Sequence, residues 1–485
     1  MSRRLILVLA LAVMVGFAFA AYAEVQNVKV SGDLTVYGLA RQLSLTSQRA
    51  ENTMASIARV RIDADLTDNV MATVRLINER YWGKDTADTL GNDETASQGV
   101  TGSGLDNTNI DLDLAYVTMK EFLYSPLTLT IGRQELHFGN DMIIGDAYTN
   151  NHASKASPFS GTIDPDLSMR KSFDAVRATL NYSPLVIDIV AAQIRKAPKD
   201  VFSKDGVYSG NLGLNTDDQE TLVGFNANYA LSKKTTVEAY AWQKRVGKKE
   251  LVSATSEEGD GKKQDTNVIG ARVAGMPIND LSYSLEGAYQ FGRVETADVD
   301  HPQRTLRAFA AEAALTYNMK DMKNVGKYKP TATALYAYFS GDVGGAELAG
   351  SGNKRHVRAW DPMYENQTFG NIANDLINQT NAHILGGIVT MKPVDDITLK
   401  GEYYAFWWDK RIPSGLSVVN NATGESDVMT GKKFAAQEVD LTATYDYTED
   451  VQFSLLGGLL FPGKSFQTTN RNTAGELIGS MKVTF

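Results

Sequence analysis

The chain has 485 residues, no cysteine, and 48 basic against 57 acidic side chains, for a net charge of −9. Disulfides and thiolate metal sites are excluded, and an acidic balance argues against general nucleic-acid binding, which runs on basic patches. Mean hydropathy is −0.24 with 43% apolar residues; past the N-terminus no stretch reaches the roughly 18 apolar residues of a membrane helix, but a barrel with alternating lipid-facing and water-facing residues gives the same averages.

In chain order, Arg3 and Arg4 precede an apolar stretch from Leu5 to Phe19. At about 15 residues it fits a signal-peptide core and is too short to span a membrane as a helix. Ala21-Tyr22-Ala23 supplies a small-x-small cleavage site. Residues 1–23 are expected to be a cleaved leader and 24–485 one outer-membrane domain. Removing the leader takes two Arg and no acid, which deepens the net charge from −9 to −11.

Period-two alternation then runs along nearly the whole mature chain. Val60, Ile62, Ala64 and Leu66 interleave with Arg59, Arg61, Asp63 and Asp65. Ile110, Leu112, Leu114 and Tyr116 interleave with Asp111 and Asp113. Leu281, Tyr283, Leu285, Gly287 and Tyr289 alternate with Ser282, Ser284, Glu286 and Gln290. Val439, Leu441, Ala443 and Tyr445 alternate with Glu438, Asp440, Thr442 and Asp446.

The connections alternate too. Short turns at Thr67–Asn69, Ser183–Pro184, Ser232–Lys234, Pro277–Asp280, Pro393–Asp396 and Glu449–Asp450 are joined by a longer one near Asn318–Lys327. Between them lie long polar segments at 83–107, 139–168, 196–218, 247–265, 341–381 and 409–434. Short periplasmic turns alternating with long extracellular loops predict an all-β fold, a transmembrane antiparallel β-barrel of about 18 strands with both termini periplasmic.

Aromatic residues follow the same geometry. Tyr182, Tyr229, Tyr317, Tyr447 and Phe485 fall beside short turns, whereas Trp82, Trp242, Phe291, Phe339, Trp407, Trp408 and Phe461 open long loops. Two interfacial belts are the expectation. The last strand, Leu477 to Phe485, ends on an aromatic residue, like the closing strand of a bacterial outer-membrane barrel. Phe485 is the expected contact for the barrel-assembly machinery.

Mid-strand charges of a barrel must face water, so strand parity assigns them to the lumen. Basic candidates are Arg59, Arg61, Arg75, Arg177, Arg272, Lys400 and Lys482. The acids are Asp63, Asp65, Glu79, Asp111, Asp113, Asp174, Asp188, Glu238, Glu286, Glu312, Glu402, Glu438, Asp440 and Asp446. Such rings set pore selectivity, or they form cross-strand pairs that hold the wall together, such as Arg59 with Glu79 and Asp63 with Arg75.

Gly132-Arg133-Gln134-Glu135, then Phe138-Gly139 and a loop opening with Ile143-Ile144-Gly145-Asp146, resembles the alginate export family of outer-membrane channels. Lys171-Ser-Phe-Asp174, Trp360-Asp-Pro-Met-Tyr364 with Phe369-Gly370, and Gly401-Glu-Tyr-Tyr-Ala-Phe-Trp407 extend the likeness over about residues 31–485. The resemblance implies a monomeric barrel that passes an anionic polysaccharide through an Arg-rich lumen. The parity census opposes that substrate, since acids outnumber bases about two to one and would repel a polyuronate. Arg133 shares parity with Leu127, Leu129 and Ile131, and is expected on the lipid side unless it lies at the rim or after a bulge.

No catalytic constellation emerges. His137, His152, His301, His356 and His383 are dispersed, and Asp141, Asp146, Asp164 and Asp166 lack the spacing of a calcium loop. No cofactor or metal is called for. The expected function is an outer-membrane channel of a Gram-negative bacterium, passing a hydrophilic solute or an alginate-like polymer and contacting outer-membrane lipid. A general or cation-preferring porin, an adhesive barrel plugged by its loops at 139–168 and 341–381, and an outer-membrane hydrolase are the rivals.

Overall fold

The structure, a computed structural model, describes residues 27–47, 50–82, 110–149, 163, 166–196, 219–247, 264–295, 303–342, 356–420 and 425–485. The leader and most of the long segments expected at 83–107, 196–218 and 247–265 lie outside the described residues.

The strands are β1 (Asn27–Gln42), β2 (Glu51–Thr67), β3 (Val70–Tyr81), β4 (Asp111–Met119), β5 (Leu127–Gln134), β6 (Phe173–Tyr182) and β7 (Leu185–Lys196). There follow β8 (Gln219–Ser232), β9 (Thr235–Val246), β10 (Gln264–Ile278), β11 (Leu281–Glu295), β12 (Gln303–Asn318) and β13 (Thr331–Phe339). Then come the two-residue β14 (His356–Val357), helix α1 (Asn371–Leu376), β15 (Ala382–Val394), β16 (Ile397–Trp408) and the small hairpin β17 (Ser417–Val419) and β18 (Ser426–Val428). The chain ends with β19 (Phe434–Asp446), β20 (Val451–Pro462) and β21 (Ala474–Thr484).

Leaving aside β14 and the β17–β18 hairpin, 18 strands pair antiparallel with their sequence neighbours. The sheet closes where β1 meets β21, from Asp33 opposite Thr484 to Gln42 opposite Gly475. Phe485 completes the seam: its N–H donates to the Gly32 carbonyl at 3.0 Å and its carbonyl accepts from the Gly32 N–H at 2.8 Å. Closure satisfies every strand edge, which is what lipid demands of a backbone.

The side chains are distributed inside out. Val60, Ile62, Ile131, Val176, Ile189, Leu285, Leu441 and Leu455 are exposed on the outer face, while Glu79, Asp113, Asp188, Glu238 and Glu286 are buried within. An apolar outer surface of this extent is stable only in hydrocarbon, where burial against lipid supplies the transfer free energy that a core supplies in water. The packed core lies inside the barrel towards the extracellular end, where loop residues meet Phe173, Val190, Leu222, Trp242, Ala310 and Ala337 of the wall.

Several local expectations need correction. Against β4, Arg75 pairs with Leu114 and Leu76 with Leu112, so a bulge at Asp113 lets two successive residues oppose one. Parity therefore flips: Leu114 is buried rather than lipid-facing, and the Tyr116 hydroxyl accepts a 3.5 Å contact from Arg61 inside the barrel. A bulge at the β2–β3 turn sets Arg61 opposite Arg75 and Asp63 opposite Thr73. Neither expected pair forms: Arg59 binds Asp33 of β1 at 2.8 Å and Arg75 binds Asp113. Asp174 faces outward, not into the lumen, and holds Arg133 at 2.8 Å on the outer face. The extracellular aromatic belt is also thinner than expected. Trp82, Phe291 and Phe461 are exposed on the outside, but Trp242, Phe339 and Trp408 point inward and are buried under the loops.

Candidate functional site

Among the described residues, the loop segments 135–149 after β5 and 359–381 before β15 enter the barrel, and Leu45, Ile412, Met429 and Phe466 of other loops join the same buried cluster. The two segments first bind each other. The Gly145 N–H donates to the Tyr364 carbonyl at 2.8 Å, Tyr364 N–H to the Ile143 carbonyl at 3.1 Å, and Asn366 N–H to the Asp141 carbonyl at 2.9 Å. Leu136, Met142, Ile144, Trp360 and Tyr364 are then almost fully buried between the loops and the wall. Small wall residues, Ala175, Ala192, Ala288, Ala308 and Ala337, give them room.

Carboxylates of the wall fasten this unit by its backbone. Gly139 N–H donates to Glu238 at 2.9 Å, and Asn140 N–H to Glu286 at 2.7 Å. The Asn140 side chain also donates to Glu312 at 3.4 Å while its Oδ1 accepts from Arg272 Nε at 2.6 Å. Gly139 makes this approach possible. Its φ is +64°, and a Cβ there would stand 2.5 Å from a Glu286 oxygen.

The second loop repeats the device. At the start of α1, Ile372 N–H donates to Glu438 at 2.8 Å, Ala373 N–H to Glu438 at 2.7 Å, and Asn371 N–H to Asp440 at 3.4 Å. Unpaired N–H groups at a helix start suit an anionic partner. Gly370 has φ +76°, and its missing Cβ would lie 2.5 Å from Glu438. Each N–H to carboxylate bond is of the charge-assisted kind, worth about 2 kcal/mol. Asp361 adds an anchor through Lys244 at 3.1 Å and a reciprocal pair with the Gln290 side chain at 2.6 and 3.0 Å.

The resemblance motifs converge on this assembly. Gln134 donates to the Ala175 carbonyl at 3.0 Å, and Glu135 pairs with Arg75. Phe138 packs on Trp242 with centroids 5.0 Å apart and lies under the Arg177 guanidinium at 5.3 Å. Gly132 takes φ +126° at the top of β5, leaving Arg133 on the outer rim with Asp174. Phe173 meets Tyr364 edge-on at 5.9 Å.

The remaining charges sit differently. Arg59 pairs with Asp33, Arg61 with Asp63 at 2.8 Å, and Arg177 with Asp188 at 2.8 Å. Arg170, shortly before β6, joins Glu79 at 2.9 Å and Asp111 at 2.5 Å. Lys400 pairs with Glu402 at 2.6 Å near the periplasmic end. Arg41, absent from the sequence candidates, joins Glu476 across the seam at 3.2 Å; it shares parity with Thr35, Tyr37 and Leu39. Asn140 was also missed, and no sequence signal marks a loop amide as the hub of three strands.

Accessibility differs from charge to charge, and the Asp111 and Asp63 side chains keep 44% and 21%. Arg61 and Arg177 keep 35% and 30% of their side chains exposed to the interior, whereas Glu286, Glu438 and Asp440 keep 4%, 0% and 0% of their surface. Asp141 binds His137 at 3.0 Å, Asp146 accepts from Tyr148 N–H at 2.8 Å, and Asp166 pairs with Arg41. Among the described residues, no group of three metal-ligating side chains occurs.

A closed barrel with an apolar outer face and a loop-narrowed polar interior is an outer-membrane channel of a Gram-negative bacterium. Residues 35–480 match the alginate export family, and the chain belongs to it. No curated protein sequence matches it. The fold is similar to OccK3 (OpdO) of Pseudomonas aeruginosa, at 10% identity over 96% of this chain and 97% of that one, with a TM-score of 0.53. OpdK of Pseudomonas aeruginosa is similar at 9% identity over 95% and 100% of the chains, with a TM-score of 0.52. OccAB1 of Acinetobacter baumannii is similar at 9% identity over 96% and 99%, again with a TM-score of 0.52.

Proposed function

We propose that this channel passes anionic hydrophilic solute, an alginate-like polyuronate in the fullest case, along the arginine-bearing wall formed by β2, β3 and β6, without chemical conversion. The observation that carries this reading is the burial of the wall acids under the loops. Counting charges by parity makes the lumen acidic, yet Glu238, Glu286, Glu438 and Asp440 are spent on loop backbone and are nearly inaccessible. Arg61 and Arg177 keep 35% and 30% of their side chains exposed, more than these fastened acids, and accessible charge lining the path governs permeation. Arg75, Arg272 and Lys400 hold the wall and the loop base, and Asp111, Asp113, Glu312 and Glu402 are their counterions or loop anchors.

In this reading residues 1–23 are removed on export, Phe485 is the signal read by the barrel-assembly machinery, and one chain forms one pore. The test is current through the purified channel in planar bilayers with oligomers of mannuronate added on one side. Concentration-dependent block that a neutral oligosaccharide of equal length does not produce is the expected result. Equal block by both, or none by either, would defeat the assignment.

A further inference from the structure

On the outside of the barrel, near the extracellular rim, β9 to β12 form a groove of about 470 Å³. Its chemistry changes with height. Lowest, Tyr289 and Phe309 face each other across β11 and β12, an apolar shelf continuous with the exposed Ile269. One step higher, Phe291 stacks on Tyr289 with ring centroids 6.1 Å apart and planes 17° from parallel. Arg307 stands directly opposite Phe291. At the top, Arg293 lies between Asp265 and Thr305 in register.

Asp265 is already paired with Arg245 at 3.0 Å. Arg293 and Arg307 are exposed, and neither guanidinium has an ion pair or hydrogen bond with the described residues. Among the described side chains here, three arginines stand against one aspartate, directly above an aromatic shelf at the level where amphipathic rings mark the membrane interface. Elsewhere on the outer rim Arg133 has its own carboxylate. Guanidinium groups fit phosphate oxygens by paired N–H donors, and the shelf below fits an acyl chain.

We infer that this groove is a docking site for a phosphorylated glycolipid of the outer leaflet, with its phosphate held by Arg293 and Arg307 and an acyl chain lying over Tyr289 and Phe309. The occupant must be amphiphilic, because the cationic and apolar tiers are contiguous on a surface that faces lipid. Arg307 on the middle tier reaches the phosphate from the side, and Arg293 from above. Asn267 and Gln243 complete the polar wall of the groove.

The test is native mass spectrometry of the full chain in detergent, titrated with bis-phosphoryl lipid A and, separately, with lipid A stripped of phosphate. One tightly held bis-phosphoryl lipid is expected. A basic residue at a membrane surface contributes about 1 kcal/mol towards an anionic lipid, so Arg307→Gln should bind about fivefold more weakly and the Arg293→Ala, Arg307→Ala double variant about 30-fold more weakly. Arg133→Ala, outside the groove, should bind as the parent does. Unchanged single-channel conductance of the variants shows an intact barrel, and the single Gln variant serves if the double one fails to assemble. Inorganic phosphate at the same concentration should not displace the lipid. Equal binding of the stripped lipid, undiminished binding by Arg307→Gln, or displacement by inorganic phosphate would overturn the inference.

Discussion

On β19, Glu438 and Asp440 are covered by the start of α1 and lose all solvent contact, while on β2 Arg61 keeps 35% of its side chain exposed beside Asp63. Both are mid-strand charges of inward parity, yet they serve different ends. On β9, β11 and β19, Glu238, Glu286, Glu438 and Asp440 act as fasteners for loop backbone, as Glu79 on β3 does for Met169. From β1 to β7 the arginines pair sideways with Asp33, Asp63 and Asp188 and still face the interior. Charge in a channel is therefore decided by what covers it, and a carboxylate bound to two peptide N–H groups no longer presents a free field to a passing ion.

The largest effect that would break this contrast comes from removing the cover. Replacing residues 138–146 with a Gly-Ser linker should raise single-channel conductance several-fold, because the buried core of Met142, Ile143 and Ile144 leaves the barrel. Unchanged conductance would mean that the loop does not narrow the path. Next comes the uncovered side. Changing Arg59, Arg61 and Arg177 together to Ala should weaken block by mannuronate oligomers by about tenfold or more, the cost of losing at least one charge-assisted contact. Block of parental strength would remove these arginines from the route.

Smaller effects separate the two fasteners. Gly139→Ala forces a Cβ into the left-handed region and against Glu286, at a cost of about 1–3 kcal/mol. Hydrogen exchange at 139–146 should accelerate while 371–376 stays protected, and Gly370→Ala should do more at 371–376 than at 139–146. Simultaneous release of both segments by either change would show that the loops are held as one body rather than by separate carboxylates.

The smallest effect is one of pH. Burial, with Asp146 and Glu312 nearby, pushes the Glu365 carboxyl from its ordinary 4.5 up to about 8. Because the folded value is the higher one, the loop gains stability from Glu365 below about pH 4.5 and loses it as pH rises through about 8. Gating noise should thus increase between pH 5 and 8.5 in the parent and flatten in Glu365→Gln. A noise level that falls with pH would contradict this sign.

Much of the fold was legible because alternation and turn spacing are local properties of the chain. Val439 and Leu441 face lipid, and Glu438 and Asp440 face inward, as parity dictates. What failed was set by single-residue slips. The bulge at Asp113 inverted Leu114 and Tyr116, and the β2–β3 turn moved Arg75 away from Asp63. Trp242, Phe339 and Trp408 read as interface residues because nothing in their own strands reports a loop returning from far along the chain to bury them. The acid excess is open to the same effect, since parity gives direction, not cover. Glycine at 139 and 370 was the available signal, each following an aromatic residue inside a long polar segment.

If loop docking rather than charge count sets the sign of the pore, reversal potential in asymmetric KCl reads that sign. The parent channel should prefer chloride, and the chain with residues 138–146 replaced should shift towards potassium as Glu238, Glu286 and Glu312 become accessible. A parent channel that prefers potassium, or a preference that does not move when the loop is replaced, would contradict the account.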